Sequence, residues 1–316
     1  MIFLVWLEWP EKCFRLDAAA LRFLTQAVKL RRGRVVCVKS ERAFLCALPD
    51  ATHALVWDFK AEWYARAKKL KLVATPAAGR EFVALPPMVP NGRPSPTVHF
   101  GHFHGRYISE AVAGFMLAWT KGFFAVRYAP AATRDWPRTW LSDKCSDVNG
   151  TRAVIVGYGN VGRAIGDKLV GLGVEVVGIT RHAIYRKQSQ LPCTDADSFL
   201  RDADWLILAL PATTGTNNYL NAALIRKLPR RCVVVNVGRG NAIDERALYK
   251  ALKAKRLAGA YLDVRKHEPS ATVLETPGYV AELAELENCI IMPHASTFSN
   301  NYMLSCLWEL RDDGCI

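Results

Sequence analysis

Three short segments place ionisable side chains directly after apolar runs. They are Val235-Asn236-Val237-Gly238-Arg239-Gly240, Leu262-Asp263-Val264-Arg265-Lys266-His267-Glu268-Pro269 and Ile290-Ile291-Met292-Pro293-His294-Ala295-Ser296. Taken singly, each has a plain structural explanation: an exposed arginine at a strand end, a loop glutamate, a histidine in a turn after proline. Taken together, Arg239, Glu268 and His294 have the makings of an acid/base centre. A guanidinium grips a carboxylate through two parallel hydrogen bonds, and a carboxylate beside an imidazole favours its charged form, so that a proton is available near neutral pH.

A fourth segment supplies a partner for that chemistry. Val154-Ile155-Val156-Gly157-Tyr158-Gly159-Asn160-Val161-Gly162-Arg163 is a G-x-G-x-x-G loop between a β-branched strand and an amphipathic helix, the context in which the motif binds a dinucleotide. Gly157 allows the tight turn, Gly159 lets the backbone approach a pyrophosphate and Gly162 lets helix and strand pack closely. Asn160 and Val161 open the helix, whose first N–H groups face the phosphates. An acidic residue about 20 positions on would bind the ribose 2′-hydroxyl. The next strand ends instead in Gly178-Ile179-Thr180-Arg181-His182. Arg181 can clamp a 2′-phosphate and Thr180 can donate to it, so NADP is favoured over NAD, with NAD still possible. Arg186 and Lys187 add to the positive field.

The elements that must position these residues follow from hydrophobic periodicity. Strands are predicted at 2–7, 34–38, 54–57 and 72–74, with helices at 17–30, 41–48 and 60–70 between them. A Pro-rich stretch at 85–96 excludes regular helix and central strand. A long helix at 107–126 leads into strands at 152–156, 175–179, 205–209, 232–237, 259–264 and 289–292. A helix at 245–255 lies between the arginine and glutamate segments, and a short one closes the chain at 300–310. Such alternation makes an α/β protein with parallel sheets, and 316 residues allow two domains.

Composition narrows the class. Hydrophobic residues at 51% and charged residues at 22% belong to a globular chain, and the longest apolar run, near residues 111–119, is too short to span a bilayer. The apolar start, Met1 to Leu7, reads as a buried strand and not as a signal peptide. Nine scattered cysteines with no Cys-x-x-Cys pair fit a reducing, cytoplasmic setting, and no metal is expected. The net charge of +13 and pI of 9.4 ask for an anionic partner. The basic cluster Lys29, Arg31, Arg32 and Arg34 reads as a solvated loop, and with no nucleic-acid motif present neither nucleic acid nor membrane is expected as a partner.

These segments closely resemble the D-isomer-specific 2-hydroxyacid dehydrogenase family, from about residue 51 to 296. Ser109 to Gly114 looks like the start of that family's long helix, and Leu206 to Thr213, with Pro211, like the strand and loop passing the adenosine side of the cofactor. The resemblance implies two doubly wound parallel-sheet domains: a flavodoxin-like substrate domain at 1–100 completed by 298–316, and a Rossmann cofactor domain at 101–297. It makes Arg239 the substrate-binding arginine, His294 the general acid and Glu268 its orienting carboxylate. Val237 and Asp263 would lie near the nicotinamide, and Ala78 and Gly79 would receive the substrate carboxylate on backbone N–H groups. The implied activity is hydride transfer between NADP(H) and a 2-oxoacid or D-2-hydroxyacid, in the manner of glyoxylate or hydroxypyruvate reductases, and the resemblance allows a homodimer. Arg265 departs from the pattern, standing where an aromatic residue is usual, and His102, His104 and Arg106 are unusually dense at the expected junction. A second reading on the same fold is a catalytically silent, cofactor-sensing interaction protein of the corepressor kind.

Overall fold

The computed structural model describes residues 1–86, 94–186, 189–192, 196–268 and 278–316. Most of the Pro-rich stretch, together with Lys187 and Pro269, lies outside the described residues. By its own contacts the chain divides into two compact units, Met1–His104 with Phe298–Ile316, and Gly105–Thr297.

The smaller unit carries five parallel strands, β1 (Ile2–Trp6), β2 (Arg34–Cys37), β3 (His53–Val56), β4 (Leu72–Thr75) and β5 (Thr97–Phe100), in the order β2-β1-β3-β4-β5. Helix α1 (Ala18–Leu30) starts where the Asp17 carboxylate accepts the Ala20 N–H, and α2 (Glu41–Ala47) where the Ser40 hydroxyl accepts from Ala43, the capping chemistry expected of those residues. The helix expected at 60–70 does not form. Its apolar residues Tyr64, Ala67 and Leu70 recur every third position, which suits the 3₁₀ period and not the α period. Ala61–Ala65 is accordingly a 3₁₀ turn, and the Ala67 and Leu70 N–H groups bond three residues back. Strand β5, preceded by Pro94 and Pro96, is hidden from the periodicity.

In the larger unit, α3 (His104–Thr120) begins at the last residue of the smaller one, and a short α4 (Arg138–Ser142) follows. Strands β6 (Arg152–Val156), β7 (Glu175–Ile179), β8 (Ala183–Arg186), β9 (Ser189–Pro192), β10 (Trp205–Leu208), β11 (Val233–Asn236), β12 (Gly259–Leu262) and β13 (Cys289–Ile291) form one sheet in the order β13-β12-β11-β10-β6-β7-β8-β9. Helices α5 (Asn160–Val170), α6 (Ala196–Arg201), α7 (Ala222–Lys227), α8 (Glu245–Lys253) and α9 (Gly278–Glu285) connect them, and α10 (Tyr302–Asp312) returns to the smaller unit. Along β6, Val154 and Val156 join one buried cluster and Ala153 and Ile155 another, so both faces of the sheet are covered, as a parallel sheet requires. One edge departs from the parallel expectation. The Thr180 hydroxyl accepts the Ala183 N–H and donates to the Ala183 carbonyl, reversing the chain at once, and β8 and β9 pair antiparallel. No helix among the described residues is long and apolar enough to cross a membrane.

In the smaller unit, fully buried Thr75 joins two strand ends. Its hydroxyl donates to the Trp57 carbonyl at 2.9 Å and accepts the Ala77 N–H at 3.2 Å. Valine fits the same space but satisfies neither group, and an unpaired buried polar group costs roughly 1–3 kcal/mol. Thr75→Val is therefore expected to lower the urea midpoint of unfolding by a corresponding amount; an unchanged midpoint would show that the tie contributes nothing.

Candidate active site

The parallel strands of the larger unit end together at one edge of the sheet, and the loops leaving β11, β12 and β13 carry the candidate acid/base residues. After β11, buried Asn236 shapes the turn: its side-chain carbonyl accepts the Gly238 N–H and its amide nitrogen donates to the Arg239 carbonyl. This Asx-type turn is a positioning device that the sequence reading passed over, although asparagine before a glycine is its usual signal. Arg239 is half-buried and donates from Nη1 to the Gly238 carbonyl at 3.0 Å. Gly240 is required for a close approach, because a Cβ there would run into the backbone of Arg265. The arginine loop and the glutamate loop are thereby pressed together.

The loop after β12 is pinned from below. Buried Glu245, at the start of α8, accepts the Lys266 N–H at 2.8 Å, a contact with no forewarning in the sequence. Glu268 faces His294, with Oε2 accepting from Nδ1 at 3.0 Å, and both side chains are about half exposed. The histidine sits in the left-handed region at φ 55°, which only a few per cent of non-glycine residues adopt.

Asp263 turns out to hold that conformation. Its carbonyl accepts the His294 N–H at 2.8 Å, and its buried carboxylate oxygen Oδ1 accepts from Ala295 and Ser296 at 3.0 and 3.1 Å. The Ser296 hydroxyl is fixed in turn by Tyr261 at 2.9 Å. Expected beside a nicotinamide, Asp263 is thus also the anchor of the histidine loop.

The electrostatics agree with the geometry. The hydrogen bond and charge of Glu268 raise the His294 pKa above its ordinary value, against burial and the nearby charge of Arg239. Burial pushes Glu268 upward, but His294, the Arg265 N–H and Arg239 together hold it below the usual carboxylate value. Burial raises Asp263 despite its hydrogen bonds. Arg239, Glu268 and His294 are therefore close enough to act on one another as charges.

At the same edge, Gly157 has φ 93°, and a Cβ there would lie 2.5 Å from the Ala209 carbonyl oxygen. Above Gly159 the space is open, with nothing within 4 Å of where a Cβ would be, and no side chain caps the N-terminus of α5. An uncapped helix start under open space fits a dinucleotide pyrophosphate. Val161 lies half-buried and Asn160 exposed at that helix start. Val237 is buried with its N–H on the Leu208 carbonyl, and Pro211 is exposed with its carbonyl accepting the Thr216 hydroxyl.

Two expectations about the ribose side change. The Thr180 hydroxyl is spent inside the turn to Ala183 and shapes the loop instead of donating to a phosphate, and Arg186 is ion-paired with Glu175 at 2.7 Å. Arg181 stands exposed at the tip of the turn.

The sequence of the larger unit identifies its family. The family model for the D-isomer specific 2-hydroxyacid dehydrogenase, NAD binding domain, matches residues 113–296, more than half the chain and all of the loops just described. The chain belongs to the D-isomer specific 2-hydroxyacid dehydrogenases. This dehydrogenase is 29% identical to a glyoxylate reductase of Korarchaeum cryptofilum over 261 residues, 79% of this chain and 74% of that one. It shares its fold with the D-isomer specific 2-hydroxyacid dehydrogenase of Lactobacillus delbrueckii ssp. bulgaricus, solved in an NAD-complexed form, at TM-score 0.79 and 18% identity, covering 100% of this chain and 96% of that one. A probable 2-hydroxyacid dehydrogenase from Rhizobium etli CFN 42, solved with NADP, aligns at TM-score 0.70 and 22% identity over 99% and 95% of the two chains. The protein is thus an NAD(P)-dependent dehydrogenase of 2-hydroxyacids, and the silent corepressor-like reading is not favoured.

The residues expected at the start of α3 divide. In the smaller unit, His104 is buried, with Nδ1 on the Gly101 carbonyl and Nε2 on the Tyr302 hydroxyl at 2.9 Å, and the His102 N–H donates to both carboxylate oxygens of Glu309. Ligand-capable atoms of His99, Glu309 and Asp313 lie within 4.8 Å of one another, and His99 Nε2 pairs with Asp313 at 2.9 Å. In the larger unit, Arg106 lies 3.9 Å from Glu110.

Glu268→Gln keeps a hydrogen-bond acceptor and removes the charge that raises the His294 pKa. The His294 titration midpoint, followed by NMR of the imidazole C–H protons, is expected to fall; an unmoved midpoint would show that Glu268 does not set it.

Proposed function

We propose that the protein is an NADPH-preferring 2-oxoacid reductase, with the larger unit as cofactor domain and the smaller as substrate domain. The observation that carries the reading is the 3.0 Å contact between His294 Nδ1 and Glu268 Oε2 with the charge of Arg239 acting on both. When bound, the reduced nicotinamide supplies the hydride for the substrate's carbonyl carbon. Glu268 holds His294 as imidazolium through Nδ1, leaving Nε2–H to donate to the carbonyl oxygen and to release its proton there as the hydroxyl forms. Arg239 binds the carboxylate of the 2-oxoacid and polarises the adjacent carbonyl. In the smaller unit, the backbone N–H groups of Ala78 and Gly79, which no backbone carbonyl engages among the described residues, are suited to receive a carboxylate. In the oxidative direction the same groups act in reverse, with His294 neutral and accepting the proton.

Arg239→Ala and His294→Ala are each expected to lower kcat/KM for NADPH-dependent reduction by at least about a hundredfold, while NADPH binding, read by fluorescence, persists. Retained turnover in both variants would overturn the assignment.

The preference for NADPH is supported by the lack of a carboxylate at the end of β7 and by exposed Arg181 in its place. A charge-assisted hydrogen bond is worth about 1.5–3 kcal/mol, so Arg181→Ala should lower the NADPH-to-NADH ratio of kcat/KM about ten- to a hundredfold. A constant ratio would remove the arginine from cofactor choice. Exposed Phe123, Tyr128 and Trp136 in the segment after α3 support a homodimer, and the free cysteines among the described residues support a reducing, cytoplasmic setting.

A further inference from the structure

In the smaller unit, β5 and the end of α10 bring three metal-ligating side chains together. His99 lies in β5, and Glu309 and Asp313 stand four residues apart in the last turn of α10, where the Asp313 N–H donates to the Glu309 carbonyl at 2.9 Å. Residues so spaced share one face of a helix. One ligand atom from each of the three lies within 4.8 Å of the other two, and His99 Nε2 is 2.9 Å from Asp313 Oδ2. The sequence reading expected no metal, because His99 and Asp313 are 214 residues apart and form no spaced motif.

This corner lacks a cation. The partial negative charge of a helix dipole gathers at its C-terminus, and like charges at i and i+4 repel, so the two carboxylates oppose both each other and the helix. Neither meets a lysine or arginine among the described residues: Arg311 is paired with Asp312 at 2.7 Å, and Arg31 donates to the Gly314 carbonyl at 2.8 Å. The His99 side chain is only 10% exposed, and its buried Nδ1 has no partner among the described residues. Packing thus holds the imidazole with Nε2 toward the carboxylates. Glu309 is held as well, both of its carboxylate oxygens accepting the His102 N–H, at 2.9 and 3.0 Å. Metal-ligating carboxylates are characteristically oriented by such outer hydrogen bonds.

We propose that His99, Glu309 and Asp313 bind a divalent transition-metal ion of the zinc class, which ties β5 to α10. Imidazole suits such ions, whereas magnesium and calcium prefer oxygen donors throughout. Two ligand atoms on one tetrahedral zinc lie about 3.3 Å apart, so the three need to close by at most about 1.5 Å, which rotation of the exposed Asp313 side chain supplies. Three protein ligands leave the fourth position to water. The ion adds the positive charge that the end of α10 lacks. Its ligands meet only in the folded unit, so binding stabilises that unit.

The test is calorimetric titration of the untagged full chain, stripped with a chelator and kept reduced, with zinc and separately with magnesium, alongside thermal unfolding with and without zinc. Wild type is expected to bind one equivalent of zinc with a Kd in the micromolar range or tighter, and its Tm to rise by about 3 °C or more at saturation. His99→Gln keeps a polar group at the buried position and removes the imidazole; Glu309→Gln keeps an acceptor for the His102 N–H and removes the charge. Each should weaken zinc binding at least about tenfold and abolish the rise in Tm, while the unliganded variants keep the wild-type circular dichroism. Zinc bound equally by wild type and both variants would put the ion elsewhere and overturn the site, as would the absence of zinc binding. Magnesium bound as tightly as zinc would overturn the choice of a transition metal.

Discussion

At the end of β12 the carboxylate of Asp263 is buried, and its desolvation is countered only in part by the two backbone N–H groups and the hydroxyl that converge on it. Those donors belong to Ala295 and Ser296, so the loop after β13 cannot leave the loop after β12. The His294 N–H on the Asp263 carbonyl completes the clamp. Without it the imidazole would sit on a free strand-end loop, and neither its distance to Glu268 nor the direction of Nε2 would be defined. A preorganised donor is worth more than a mobile one because no reorganisation remains to be made at the moment of reaction.

The other contacts of the edge extend the same principle. Asn236 shapes the Arg239 turn, Gly240 lets the Arg265 backbone close over it, and Glu245 holds Lys266 from beneath. Three loops leaving neighbouring parallel strands are thereby joined laterally by backbone contacts, and the charged side chains are carried on a frame that does not depend on their own pairing. The frame uses buried polar groups, which cost stability when unmatched and specify geometry when matched.

Much of this was legible in the residues. Strands β6 and β7 fall where apolar β-branched runs end in glycine or a turn signal, and both run over the predicted residues. The glycine loop, Arg239, Glu268 and His294 were identifiable because each depends on residue type and place after a strand. The features that escaped depend on contacts across long stretches of chain. Tyr64, Ala67 and Leu70 satisfy a helical template within its tolerance, yet their spacing of three selects the 3₁₀ turn. Thr180 reads as a donor for a ligand until its own turn is seen to consume it. The grip of Asp263 on the histidine loop and that of Glu245 on Lys266 join residues with no local sequence relation, so no window of periodicity contains them.

The left-handed backbone of His294 bears on how such a site persists through mutation. A side chain in this region carries a penalty of about 1–2 kcal/mol that glycine escapes. Drift toward greater stability would therefore favour glycine at position 294 and erase the imidazole. The position is one where the demands of folding and of proton transfer pull on the same codon in opposite directions, and the histidine found there records which demand has prevailed.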